Sequence, residues 1–310
     1  MRLNNKYVLL ILAAYFAATQ CLAIQEAKVQ KTVAIVQIVE HPALDATRQG
    51  ILDELQDKKI KVEFQSAQGN SALATQIAQK FVGMHPDVMV GISTPAAQAL
   101  VSANQQYSIP IVFSSVTDPK GAKIVQNLSA PEGAITGVSN YVDPGRQFDL
   151  FKKILPSLSS LGVIYNPGDT NSVILVEEMK KIAALKGLTL VFATANNSAD
   201  IAQAAQKLLP KVQALFINND NTALSAFDAI VRISTQQNIP VFCSDVDMVD
   251  HGALAALGAN QYEIGRETGK LILKILQGQS PKQIPVMFPK ETETRINAAQ
   301  AAKLGIKIPD

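Results

Sequence analysis

Runs of aliphatic residues alternate along the chain with segments whose apolar positions recur every three to four residues, which predicts strand and helix in turn. Apart from Gln37, residues 32–39 form a continuous apolar strand, as expected for a parallel strand buried on both faces. A helix follows over 42–58, with Leu44, Ile51, Leu52 and Leu55 on one side. Next come a strand at 60–65 and a helix over 71–84 whose Leu73, Ile77, Phe81 and Met84 face the sheet. A strand at 88–92, a helix over 95–104 and a strand at 109–113 complete the unit.

The same order restarts past the middle. Strands at 161–165, 188–193, 214–217 and 239–242 alternate with helices over 171–185, 199–209 and 222–237. Strands joined by single helices imply parallel sheets covered on both faces. The expected fold class is therefore α/β, with two doubly wound parallel-sheet lobes. Between the units, 127–145 is rich in Gly, Pro, Ser and Asn around a short strand at 133–137, and such a shift marks a boundary or hinge. A helix over 261–277 and short strands at 286–288 and 294–296 close the chain. A chain that crosses between lobes more than once has several hinge strands, which restrict motion to a closing clamp.

Four of the apolar strands end abruptly in polar residues. Ile92 is followed by Ser93 and Thr94, Phe113 by Ser114, Ser115, Val116, Thr117 and Asp118, Ile217 by Asn218, Asn219 and Asp220, and Phe242 by Cys243, Ser244 and Asp245. In open α/β sheets, ligands bind just beyond the carboxyl ends of the strands. Two such ends in each half of the chain point to a cleft that holds a small polar molecule.

The amino terminus bears on location. Arg2 and Lys6 precede an uncharged, mostly apolar stretch over 7–18, and Cys21-Leu22-Ala23 offers small residues for cleavage at about Ala23. This reads as a secretory signal over 1–23. The alternatives are a membrane anchor over 7–25, interrupted by Thr19 and Gln20, and a lipoprotein site at Cys21, which Gln20 disfavours. Loss of Arg2 and Lys6 would leave 26 basic and 26 acidic residues, so charge gives no reason to expect a nucleic-acid partner. Cys243 would be the sole remaining cysteine, and an intramolecular disulfide would be impossible. With 47% hydrophobic residues, a core of ordinary size is available instead.

Catalytic patterns are not found. His41, His85 and His251 are not spaced as a metal pair, and no metal site or cofactor is expected. The first strand–helix turn, Glu40-His41-Pro42-Ala43-Leu44-Asp45, lacks the glycines that dinucleotide binding needs. His41 either lines the cleft or is a satisfied loop histidine. Cys243 follows Phe242 in a strand and reads as a small buried hydrophobe.

Recognition chemistry remains. Thr94 and Pro95 fit a helix start, with Thr94 as the cap, and such a terminus suits a carboxylate. Ser115 and Thr117 could add hydroxyl donors, while Asp118 either caps its turn or contacts ligand. Asn171 can cap its helix and face the cleft. Asp220 and Asp245 each end a strand, and either could receive an ammonium group.

The stretch 39–45 joins Ser93-Thr94-Pro95-Ala96-Ala97, 110–113, Val116-Thr117-Asp118-Pro119, 135–139, 162–167, 218–222 and 252–258 in one combination. By it the chain resembles the solute-binding component of ABC transporters with the type I periplasmic-binding fold, in the subfamily associated with aromatic amino acids. The resemblance covers nearly the whole chain beyond the leader. One departure is Gly168-Asp169-Thr170 before Asn171, where that subfamily more often has Ser or an acidic residue. The resemblance implies lobes formed by 31–138 with 259–282 and by 139–258 with 283–310. It implies a non-enzymatic, periplasmic or otherwise extracytoplasmic monomer that delivers an amino acid, an aromatic one favoured, to an ABC permease. The Thr94 helix start and the segment Ser115, Val116 and Thr117 would hold the carboxylate, and Asp220, favoured over Asp245, the ammonium. Glu40, Ala43, Leu44 and Tyr165 would border the side chain. Two other readings of the same cleft are an exported hydrolase using Asp118 with Asp220 and a ligand-sensing partner of a membrane receptor.

Overall fold

A computed structural model describes residues 30–309, and the described residues from Thr32 onward form one compact unit. The expected leader over 1–23 lies outside the described residues. In chain order the first half runs β1 (Lys31–Gln37), α1 (Pro42–Leu55), β2 (Ile60–Ser66), α2 (Ser71–Met84), β3 (Val88–Ile92), α3 (Thr94–Ala103), β4 (Ile111–Val116) and β5 (Ile135–Ser139). It continues with α4 (Pro144–Ile154), β6 (Ser160–Tyr165), α5 (Thr170–Leu185), β7 (Thr189–Thr194), α6 (Ile201–Leu208), β8 (Ala214–Ile217), α7 (Asn221–Ser225), α8 (Phe227–Gln236) and β9 (Val241–Cys243). The last elements are β10 (Ala255–Gly258), α9 (Gln261–Leu276), β11 (Glu293–Ile296) and α10 (Ala298–Lys303).

Two sheets result. The first has the order β2-β1-β3-β4-β5 and the second β11-β10-β9-β8-β6-β7. Without its antiparallel edge strand β11, the second sheet repeats the winding of the first. Strand order reverses between β1 and β3 in one sheet and between β6 and β8 in the other. At such switch points the following loops diverge and leave a crevice. The fold is the two-lobed α/β arrangement that the hydrophobic pattern predicts.

Alternation within the second sheet shows how its core is built. Leu215 and Ile217 join Ile201, Ala205, Leu208 and Ile230 on one face. Ala214 and Phe216 join Phe148, Phe151, Leu175 and Met179 on the other. Phe151 stacks on Phe242 with ring centroids 4.2 Å apart. Phe148 and Phe151 come from α4, a helix absent from the sequence reading. Its Pro144-Gly145 start looks like linker, yet Asp143 accepts a hydrogen bond from the Gly145 amide and starts the helix.

Two further elements differ from expectation. The single helix expected over 222–237 is broken at Ala226 into α7 and α8. The strand expected at 286–288 is a single bridge between Val138 and Met287.

The chain passes between sheets three times: after β5, between β10 and α9, and between the Met287 bridge and β11. The second passage carries α9 back onto α1. A Cβ at Gly265 would lie 2.0 Å from the Thr47 carbonyl oxygen, and one at Gly50 would lie 2.2 Å from that of Tyr262. Neither position has room for any side chain. Overpacking of this kind costs roughly 1–3 kcal/mol. Gly265→Ala should therefore destabilise the protein by about that amount in urea unfolding, and a loss under about 0.5 kcal/mol would contradict the close helix contact.

Candidate functional site

The strand ends and loops after β1, β3 and β4 face those after β6, β8 and β9 around one small pocket. The first lobe contributes His41, Ala43, Leu44, Ser93, Ser115 and Thr117. The second contributes Asn171, Asn219, Asn221, Leu224 and Asp245, while Asn140 and Gln261 come from two of the passages between sheets.

Local backbone sets several of these side chains. Ser93 ends β3 at φ 81° and precedes the first turn of α3. Ser115 lies at φ 54°, where the β4–β5 register shifts. Left-handed backbone at a non-glycine residue costs of order 1–3 kcal/mol and persists only where the surroundings impose it. At Ser115 the hydroxyl donates to Gln261 Oε1 at 2.8 Å and lies 3.0 Å from Thr47 Oγ1. Gln261 Nε2 in turn donates to Asp245 Oδ1 across the lobes at 2.6 Å. Two more hydrogen bonds cross the interface, from Ser93 Oγ to Asn221 Oδ1 at 3.1 Å and from Gln98 Nε2 to Thr170 Oγ1 at 3.4 Å.

Among the described residues, no Lys or Arg lines the space, and Asp245 is its one carboxylate. Burial raises the Asp245 carboxyl from its ordinary 3.8 to about 7, against the opposing Gln261 hydrogen bond. Behind Asn221, burial and the nearby Asp220 raise Asp169 to about 6. Burial lowers His41 to about 3, partly offset by the Asn221 side chain, so its imidazole is neutral. Both ring nitrogens of His41, and Asn171 Oδ1, are buried with no hydrogen-bond partner among the described residues. The site thus offers one carboxylate, one neutral imidazole, and hydroxyl and amide groups. That set suits a small zwitterion.

Of the residues named from sequence, Ala43, Leu44, Ser115, Thr117, Asn171 and Asp245 meet at this cavity. The other six do not line it. Asp220 is fully buried and already saturated: Ala223 N, Asn166 N and Ser172 Oγ donate to it at 2.7, 2.6 and 2.7 Å. It caps α7 and braces the loop after β6, and of the two strand-end aspartates only Asp245 lines the space. Thr94 is not the cap of α3; Ser93 is, and the Thr94 hydroxyl is buried without a partner among the described residues. Pro95 is buried in the first turn of that helix, and Val116 is buried in the first-lobe core. Tyr165 packs edge-on against Phe192 at 6.1 Å, since β6 pairs with β7. Glu40 accepts from Ser66 Oγ at 2.7 Å and borders a neighbouring depression. Asn171 sits inside the first turn of α5 instead of capping it, and its Nδ2 donates to the Asn219 carbonyl at 2.8 Å. Asp118 caps its own turn through the Lys120 and Gly121 amides.

The sequence reading left His41 open and did not name Ser93, Asn140, Asn219, Asn221, Leu224 or Gln261 as contacts. Ser93 and Asn219 lay in the polar strand ends already noted, and Asn221 directly follows one of them. Asn140 and Gln261 gave no such signal, being placed by the passages between lobes.

Facing crevices at two switch points, with a cation-free polar lining between them, define a two-lobed receptor for a small solute. The chain belongs to the family described as ABC transporter substrate binding protein, whose model matches residues 32–310. Proteins of this family are extracytoplasmic and bind substrates for transport rather than transform them. A tyrosine-binding protein of Clostridioides difficile is 34% identical over 278 residues, covering 88% of this chain and 80% of its own length. A conserved domain protein from Vibrio cholerae is 45% identical with a TM-score of 0.88, covering 91% of this chain and 96% of its own. A Streptococcus pneumonia structure in complex with L-Trp is 32% identical with a TM-score of 0.87, with the same coverage. A ligand-free, open substrate binding protein from Clostridium difficile is 33% identical, covering 90% of this chain and 96% of its own, yet its TM-score is only 0.67. At nearly equal identity, this chain superposes more closely on the L-Trp complex than on the ligand-free, open structure.

Two predictions separate the aspartates. A carboxyl raised to about 7 favours folding when protonated, a contribution full below about pH 4 and lost as pH rises through 7. Each tenfold change in an ionisation constant is worth ~1.4 kcal/mol. Without ligand, Asp245→Asn should stabilise the protein by about 2–4 kcal/mol at pH 8 and be near neutral at pH 4. Urea unfolding at the two pH values checks this; equal stability at pH 8 would contradict it. Asp220→Ala leaves three donors unpaired, at ~1–3 kcal/mol for each buried one. It should lower the melting temperature sharply, and a fully stable variant would contradict the bracing role.

Proposed function

We propose that this chain is an exported solute-binding protein that takes one free aromatic amino acid between its lobes and presents the closed form to a membrane permease. The observation that carries this reading is the single carboxylate, Asp245, set among neutral donors in an interlobe pocket lined by no cation among the described residues. An α-ammonium pairs with Asp245, and hydroxyl and amide groups of the first lobe, with Ser93 and Ser115 foremost, receive the carboxylate. The tyrosine-binding relative and the L-Trp complex support the aromatic class. Ligand contacts to both lobes favour the closed population, since a ligand shifts an equilibrium by its differential affinity for the two states. Export rests on the leader-like 1–23 and on the family's extracytoplasmic setting.

A thermal-shift and calorimetric screen of the twenty amino acids tests this. At about one hundred times Kd, a ligand specific to the native state adds ~2.7 kcal/mol, or roughly 4–5 °C for a chain of this size. Tyrosine, tryptophan or phenylalanine should give that rise, and Asp245→Ala should abolish it. Because the ammonium needs an ionised Asp245, affinity should fall up to about tenfold per pH unit below about 7 and level off above it. Flat affinity between pH 5 and 8 would remove Asp245 from the ammonium role.

A further inference from the structure

We propose that His41 reads a polar hydrogen on the ring of the bound amino acid, so that the site selects a phenol- or indole-bearing side chain over a plain benzyl one. This rests on the amino-acid reading above and adds the group that ranks the aromatic amino acids.

The argument starts from an unmet demand. His41 is 5% exposed, and both its ring nitrogens are buried without a partner among the described residues. A neutral imidazole carries one N–H donor and one acceptor nitrogen. Leaving either unpaired in a closed interior is costly, and such groups in native proteins call for an explanation. The neighbouring polar side chain is Asn221, which favours the protonated imidazole and so can serve at most the ring's donor, leaving the acceptor nitrogen unserved. Its Oδ1 accepts from Ser93 Oγ, and its Nδ2 donates to Asp169 Oδ2 at 3.3 Å. The backbone around His41 does not relieve it either. The residue sits extended at φ −160° ahead of Pro42, and its side chain makes no capping bond to α1.

Position then indicates which part of the ligand His41 meets. Asp245 and the serines claim the zwitterion. The remaining lining contains three apolar side chains, Ala43, Leu44 and Leu224. Ala43 and Leu44 occupy the first turn of α1, immediately after His41. His41 and Leu224 also border the adjoining depression, which places them at that end of the cavity. A ring lying on these apolar groups therefore brings its edge to the imidazole. A phenol O–H or an indole N–H can donate to the acceptor nitrogen, whereas a benzyl ring leaves it orphaned. Sites built to hydrogen-bond a substrate O–H or N–H reject analogues lacking it far more strongly than apolar pockets reject a size change.

Calorimetric titration of the soluble protein with L-Tyr, L-Trp and L-Phe tests the assignment. The better of L-Tyr and L-Trp should bind at least about tenfold tighter than L-Phe. His41→Leu should shrink that gap to within about twofold by weakening the favoured ligand, and His41→Gln, which keeps a donor and an acceptor, should retain most of it. The melting temperature of unliganded His41→Leu should be unchanged or higher, since two orphaned polar atoms are removed. Three wild-type affinities within twofold, or a gap that survives His41→Leu, would overturn the role of His41 while leaving amino-acid binding intact. Failure of the wild type to bind any of the three would instead overturn the aromatic amino-acid reading itself, and this inference with it.

Discussion

One buried amide organises the site. The Gln261 carbonyl oxygen accepts from Ser115 and Thr47, which fixes the orientation of the amide and aims its NH₂ group across the interface at Asp245. The first lobe's strand end, its first helix and the second lobe's carboxylate are thereby held by one side chain. Gln261 can do this because it opens α9 just after the chain re-enters the first lobe. The close glycine contact between α9 and α1 then locks that helix in place. An error in that packing would move the amide, and with it the carboxylate's only amide donor described at the site.

The second lobe meets this amide with its own polar relay. Asn171 donates to the Asn219 carbonyl, and Ser244, next to Asp245, donates to the Asn219 side chain at 2.5 Å. With its NH₂ engaged, Asn171 keeps a buried Oδ1 that has no hydrogen-bond partner among the described residues. Buried polar groups normally find a partner.

Much of this was legible in the sequence because strand ends announce themselves. The apolar runs ending at Ile92, Phe113, Ile217 and Phe242 hand over to polar residues in one step, and several of those residues line the cavity. What sequence could not rank was the two strand-end aspartates. Asp220 and Asp245 look alike in the linear pattern, and only the convergence of three donors on Asp220 separates them. Tyr165 was an equally local guess, overruled by the pairing that sets Phe192 beside it. Asn140 and Gln261 lie where the chain changes lobe, so their proximity is a property of the winding and not of any motif. The helix α4 hid behind a proline–glycine start that reads as a turn.

Ala43 has a consequence of another kind. It begins α1 in the first lobe, yet it is 1% exposed and belongs to the apolar cluster of the second, with Leu224 and Phe227. Parting the jaws would bring water to that junction. Apolar hydration carries a large heat capacity. Ligand uptake coupled to closure would then release that heat capacity as a negative ΔCp, a calorimetric record of the movement itself.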